Sequence, residues 1–264
     1  MLSYARVAIA DIAASLASWR IWFTLAINDV RRRYRRSIVG QFWLTLGLGA
    51  TVGGLGLVYS TIFRIEIAEY LPYISVTLVA WTLISTTLSE SCLAFIDSEG
   101  IMRHAAFGRS VFVFRVQLRN LIVGAHNVVI PAIVFVVLHY EVNSNVWWLI
   151  PGLLLVLANL LWMGYALAVI STRFRDIPQI VQSILQVLFF ITPVMFKPAQ
   201  LGSRAELLLV INPFAHLLAL LRDPLLGVAP SGLSLAVSST MALGFWVLFL
   251  PFFGRYAPRV VLWL

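Results

Sequence analysis

Glu90 and His126 are the only ionisable side chains set well inside the long apolar runs of this 264-residue chain. An intramembrane catalyst needs a nucleophile with a base, or a set of metal ligands. Neither residue has a paired carboxylate or a His-Glu-x-x-His pattern beside it. An ionisable group at membrane depth is a functional candidate by default, but Ser89 and Ser91 flank Glu90 and offer it a structural setting instead. Cys92 is the single cysteine, and His104, His126, His139 and His216 lack neighbours at metal-ligand spacing, which argues against structural zinc and a redox pair. The one lysine, Lys197, precedes Pro198, so the chain has no Gly-Lys-Ser/Thr of a phosphate-cradling loop. What remains is aromatic: 9 Trp, 8 Tyr and 17 Phe. Such rings anchor helices at the bilayer interface, or they stack on flat amphipathic ligands such as sugars. Tyr59, Phe189 and Phe190 are open to both readings.

The elements that must position these groups follow from hydropathy. With 61% apolar and 11% charged residues and a mean hydropathy of +0.92, the chain is not a water-soluble enzyme. A bilayer crossing takes about 20 apolar residues, and candidate spans fall at Phe42–Phe63, Leu71–Phe95, Leu118–His139, Val146–Ile170, Ile180–Phe196 and Leu233–Phe253. The expected fold is an all-α integral membrane protein with six transmembrane helices in a single domain over 1–264. Residues 1–40 form a cytoplasmic and interfacial segment, 41–253 the core and 254–264 a tail. Six spans leave both termini on one side, and fifteen of the nineteen basic residues then share that side, while acidic residues divide evenly. The positive-inside rule makes it cytoplasmic.

The first forty residues do not read as a cleavable signal peptide, because Asp11 and Arg20 interrupt the apolar stretch and the Arg cluster follows it. Apolar residues at 19, 22, 23, 26, 27, 30 and 34 mark one helical face, with Arg and Asp on the other. This predicts an amphipathic interfacial helix, or else a plain topology anchor. Between Phe196 and Leu233 two apolar pieces, separated by Asn212-Pro213, are each too short to span. They predict two short re-entrant helices on the outer side, the alternative being surface amphipathic helices. Gly49-xxx-Gly53 and Ala50-xxx-Gly54 permit close helix approach in the first span.

Four stretches, in this order along the chain, give a resemblance. They are Arg33-Tyr-Arg-Arg-Ser-Ile-Val-Gly-Gln-Phe-Trp43, Thr172-Arg-Phe-Arg-Asp-Ile-Pro178, Ile191-Thr-Pro-Val-Met-Phe196, and Asn212-Pro-Phe with Arg222-Asp-Pro-Leu-Leu-Gly227. Together they resemble the permease subunit of ABC-2 type polysaccharide exporters, most closely the O-antigen branch, with capsular polysaccharide and teichoic acid exporters as relatives. The resemblance implies a non-catalytic transport subunit in the bacterial inner membrane. It implies a homodimer bound to two separate cytoplasmic ATP-binding cassette subunits, which carry the ATP and Mg, with no cofactor in this chain and no nucleic-acid partner. The substrate implied is a polyprenyl-diphosphate-linked glycan. Tyr34, Arg35 and Arg36 would meet the diphosphate, a guanidinium being able to pair two phosphate oxygens. Trp43, Tyr59, Phe189, Phe190 and Phe196 would line the substrate path. Asp97, Glu99, Arg103, His104 and Arg109 would couple to the ATPase, and Asn212, Pro213, Phe214, Arg222 and Asp223 would form an outer gate. The chain departs from the family pattern at Gln41, where a proline is expected, and at Phe107-Gly108-Arg109, which replaces a segment often richer in proline. The competing readings are an ABC-2 permease for a drug or lipid, and a polyprenyl-phosphate-handling enzyme using Asp29 or Asp176.

Overall fold

A computed structural model describes residues 2–34, 42–104, 107–198, 207 and 209–264. Its described residues are helical apart from short connections. Two N-terminal helices, α1 (Leu2–Ala17) and α2 (Trp19–Tyr34), precede α3 (Phe42–Phe63) and α4 (Ile67–Ser91). A short helix α5 (Glu99–His104) leads to α6 (Ser110–Asn127) and α7 (Val129–Val137), which continue one another, then to α8 (Leu149–Arg173) and α9 (Ile177–Ile191). The chain ends with α10 (Pro213–Leu225), α11 (Gly232–Tyr256) and α12 (Val260–Trp263). Among the described residues, five stretches are long and apolar enough to cross a bilayer: Trp43–Phe63, Ile67–Ser91, Ser110–Val137, Ser144–Arg173 and Gly232–Trp263. α9 is apolar but has only 15 residues, about 22 Å at 1.5 Å per residue, and falls short of a hydrocarbon core of about 30 Å.

The bundle is organised around α4. Tyr70 and every residue from Pro72 to Trp81 are buried, and the helix packs against α3, α6, α7, α8, α9 and α10. A helix surrounded in this way meets protein rather than lipid, and so accommodates Ser75, Thr77, Thr87 and Ser91 in its buried faces. Their hydroxyls donate back to carbonyls one turn earlier, as Thr87 does to Leu83 at 2.6 Å and Ser91 to Thr87 at 2.6 Å. Asn159 of α8 is fully buried and ties that helix to α11 through the Ser238 carbonyl at 3.0 Å.

α1 is a packed element of the bundle, lying along α11 and against α6. Two close approaches place it. A Cβ on Gly254 would lie 1.8 Å from the Tyr4 carbonyl oxygen, so only glycine lets α1 and α11 come together. At α6, the Asp11 carboxylate accepts from the Arg109 and Ser110 backbone N–H groups at 2.8 and 2.9 Å and from the Ser110 hydroxyl at 2.6 Å. α6 has no side-chain cap of its own at Arg109, so a carboxylate from α1 satisfies its free donors and favours the positive helix end. Gly108 leaves room for this contact, since a Cβ there would sit 2.3 Å from Ser15 Oγ. We expect Gly254→Ala to lower thermal stability of the purified protein by about 1–3 kcal/mol through overpacking. Gly53→Ala, whose Cβ meets nothing within 4 Å, should leave stability unchanged in the same melt.

Candidate functional site

The C-terminal half of α4 turns hydroxyl groups toward α9. Trp81, Ser85, Thr86 and Ser89 of α4 face Gln182, Leu185, Gln186, Phe189 and Phe190 of α9 across an open groove of about 460 Å³. The spacing explains the pairing of faces: residues 81, 85 and 89 on α4 and 182, 186 and 189 on α9 recur at three- and four-residue intervals. The rings gather at one end of this lining and the hydroxyls and amides at the other, because α4 and α9 run antiparallel. Trp81 lies 6.1 Å from Phe189 and 6.3 Å from Phe214, and Phe189 meets Phe190 edge-on at 5.3 Å. Phe190 is 62% exposed, a large ring held out from the bundle. Thr86 also lines a smaller polar cavity of about 150 Å³ with Thr82, Glu90, Asn120 and Asn127, between α3, α4 and α6. Flat rings beside hydroxyls and amides make a surface suited to ligands with both apolar faces and polar rims.

At its far end α9 stops short. Thr192 adopts an extended conformation, φ −93° and ψ 143°, and residues 192–196 run irregularly. The fifth candidate span, expected to continue to Phe196, is therefore helical only to Ile191. Irregular backbone at membrane depth must have its carbonyls satisfied by protein, and α4 supplies the donors. Tyr73 donates to the Pro193 and Phe196 carbonyls at 2.7 and 2.6 Å, Thr77 to Val194 at 2.8 Å, and Tyr70 to Met195. Asn212 joins this knot, donating to Thr192 Oγ1 at 2.9 Å while its side-chain oxygen caps α10 at the Phe214 N–H. Arg222 is buried over the Tyr73 ring at 5.7 Å and donates to Asp223 at 2.7 Å. α10 itself is enclosed by α4, α8 and α11, with Ala215–Arg222 buried. Tyr73→Phe keeps the ring but removes the donor to two carbonyls. It should cost about 1–3 kcal/mol, measurable as a lowered denaturation midpoint in detergent.

The opposite, Arg-rich end carries an ion-pair network. Arg115 forms two 2.6 Å hydrogen bonds to Asp29 of α2, and Arg119 reaches Asp29 at 2.9 Å and Glu90 of α4 at 2.8 and 3.1 Å. Asn120 donates to the same Glu90 oxygen at 2.7 Å. Two carboxylates and two guanidinium groups thus bind the amphipathic helix α2 to α4 and α6 in a charge-neutral set. Burial pushes the Asp29 carboxyl upward, but the hydrogen bonds and charges of Arg115 and Arg119 outweigh it and hold it below the ordinary 3.8. A carboxylate depressed in this way stabilises the fold above its unfolded pKa, and that contribution is lost as pH falls through the lower folded value. We expect α2 docking to be insensitive to pH from neutrality down to 3.8 and to weaken only in stronger acid. Hydrogen exchange in α2 measured across that range reads this directly.

The residues expected from sequence fall in separate places. Arg35 and Arg36 lie outside the described residues, while Tyr34 ends α2. Phe189 and Phe190 line the groove, whereas Trp43 is 66% exposed at the start of α3. Tyr59 packs with Phe63 at 5.5 Å, and Phe196 contributes its carbonyl to the Tyr73 knot. Asp97, Arg103 and His104 are exposed between α4 and α6, and Glu99 pairs with Arg103 at 2.8 Å. Arg109 starts α6 on the Asp11 cap. Asn212, Pro213, Phe214, Arg222 and Asp223 cluster around the start and end of α10. The expectation that serines satisfy Glu90 gives way to Arg119 and Asn120 as its partners. Asp29 stood out only as a candidate acid of the enzyme reading, and nothing in the sequence paired it with Arg115 and Arg119 or placed Asp11 on α6, whereas Trp81, Ser85 and Ser89 had a signal in their spacing of four.

Residues 20–226 match the ABC-2 type transporter family. Curated relatives include an O-antigen export system permease protein RfbA of Myxococcus xanthus, 27% identical over 201 residues, covering 74% of this chain and 76% of that protein. Two proteins of the same name from Klebsiella pneumoniae are 22% and 21% identical, with the same coverage.

Proposed function

The chain belongs to the ABC-2 type transporter family, and from that premise we propose that it is the permease subunit of an ATP-driven exporter of polyprenyl-diphosphate-linked polysaccharide, with O-antigen as the favoured class. The observation that carries this reading is the groove between α4 and α9, where a cluster of three rings adjoins three hydroxyls and two amides. A drug or single lipid needs an apolar pocket with a few polar groups. A polymer of sugars needs a repeated, shallow surface of rings and hydrogen-bonding groups. In this reading two copies of the chain face one another across their grooves, and the glycan passes between them. Six crossings are made by the five long helices together with α9 and its irregular continuation. Both termini are cytoplasmic, in the bacterial inner membrane.

Energy enters through two separate ATP-binding cassette subunits, which dock on the exposed segment around Asp97, Glu99, Arg103, His104 and Arg109. The Asp29, Arg115, Arg119 and Glu90 network passes displacement of the Arg-rich end to α4, which lines the groove. Tyr34, Arg35 and Arg36 receive the diphosphate. α10, with Asn212, Pro213, Phe214, Arg222 and Asp223, closes the outer end. Relatives bearing the O-antigen export permease name support the glycan assignment. Co-expression with a neighbouring ATP-binding cassette protein and mass measurement in mild detergent tests the division of labour. A two-plus-two complex whose hydrolysis rises with a glycan-diphospholipid is expected, and ATP hydrolysis by this chain alone would refute it.

A further inference from the structure

We infer that the groove selects an uncharged glycan, and that Gln182, Gln186, Ser85 and Ser89 are the side chains that set this selectivity. The inference rests on the glycan-exporter reading and narrows its substrate class. Among the described residues, the groove lining carries no ionisable side chain. Its polar atoms are the amides of Gln182 and Gln186 and the hydroxyls of Ser85, Thr86 and Ser89, each able to donate and to accept. That is the complement of a neutral sugar, whose hydroxyls also do both, while Trp81, Phe189 and Phe190 offer faces for its C–H surfaces.

A uronic acid or phosphodiester passing between two such facing grooves would bring an anion against a lining that offers hydrogen bonds but no cation to repay the hydration it gives up. The charges nearest along the same path are already engaged. Glu90, one residue beyond Ser89, is bound by Arg119 and Asn120. At the other end Arg222 is held by Asp223 and Lys197 by Glu69. Releasing any of these cations to serve an acidic sugar would cost an existing ion pair. The arginines that suit phosphate lie instead at the opposite end, near the end of α2, where they would serve the carrier headgroup rather than each repeat of the polymer.

The test uses the permease with its ATP-binding cassette partner in lipid vesicles. Two glycans of equal length on the same polyprenyl diphosphate are supplied, one neutral and one with a uronic acid in each repeat. Translocation into the lumen is read by protection from an external glycosidase. The neutral glycan should be moved at least about tenfold faster, the ratio that 1.4 kcal/mol of anion desolvation already produces. Gln182→Arg and, independently, Gln186→Arg should raise the acidic-to-neutral ratio, because both side chains are exposed to the groove and place a cation there without disturbing the core. Equal rates for the two glycans, or a ratio that neither variant changes, overturns the selectivity. Movement of neither glycan, with no stimulation of hydrolysis, counts instead against the exporter reading itself.

Discussion

Arg119→Leu is expected to lower the stability of the protein by about 3–5 kcal/mol, the usual cost of removing one member of a buried ion-pair set. The side chains of Arg119, Asp29 and Glu90 are only 15%, 14% and 20% exposed, so little solvent screening softens the loss. Glu90 would lose both guanidinium hydrogen bonds inside the bundle, and Asp29 one of its two arginines. Asp29→Asn should cost less, because the amide oxygen can still accept from one arginine. The two changes should also be strongly non-additive, since both residues act within one network. Denaturation midpoints of the single and double variants measure this coupling. If the network also transmits motion from α2 to α4, Asp29→Asn should leave ATP hydrolysis by the complex intact while reducing the glycan moved per ATP.

Replacing Phe189 and Phe190 together with Leu should reduce export about tenfold while leaving assembly of the complex unchanged. A stacking ring contributes about 0.5–1.5 kcal/mol beyond the area it buries, and two rings in one path give roughly that factor. Phe190 is largely exposed and packs edge-on against Phe189, so its loss removes little from the core. Trp81 is a poorer target because it is 6% exposed and belongs to the core cluster with Tyr73 and Leu217. Unchanged export in the double variant would favour a permease for a drug or lipid, in which these rings serve only as apolar bulk.

The legible part of this fold is the part that hydropathy alone controls. α3 coincides with its predicted run at Phe42–Phe63 because its 22 residues carry no charged side chain and Arg64 follows it directly. α6 begins eight residues before the predicted Leu118, since Arg115 looks like a loop residue until its partner is known. That partner is 86 residues away at Asp29, a separation that no local pattern encodes. α1 escaped for the same reason: its place depends on Gly254 and on a carboxylate capping another helix. The break after Ile191 contains Pro193, yet its carbonyls are held by hydroxyls from α4 more than a hundred residues earlier. Of the candidate path, Phe189 and Phe190 stood out in the sequence as rings open to either an anchoring or a stacking role, and the groove they line became visible only with α4 beside them. Trp81, Ser85 and Ser89 lay inside an apolar run that masked their common face.

The most direct test is photo-crosslinking from the groove. A photoreactive residue placed at Phe190, and separately at the exposed Leu243 on α11, is activated in the assembled exporter during turnover with a radiolabelled glycan-diphospholipid. The account predicts that label is recovered from position 190 only when ATP is hydrolysed, and not from position 243. Labelling that is absent at 190, or equal at the two positions, would contradict a glycan path along α4 and α9.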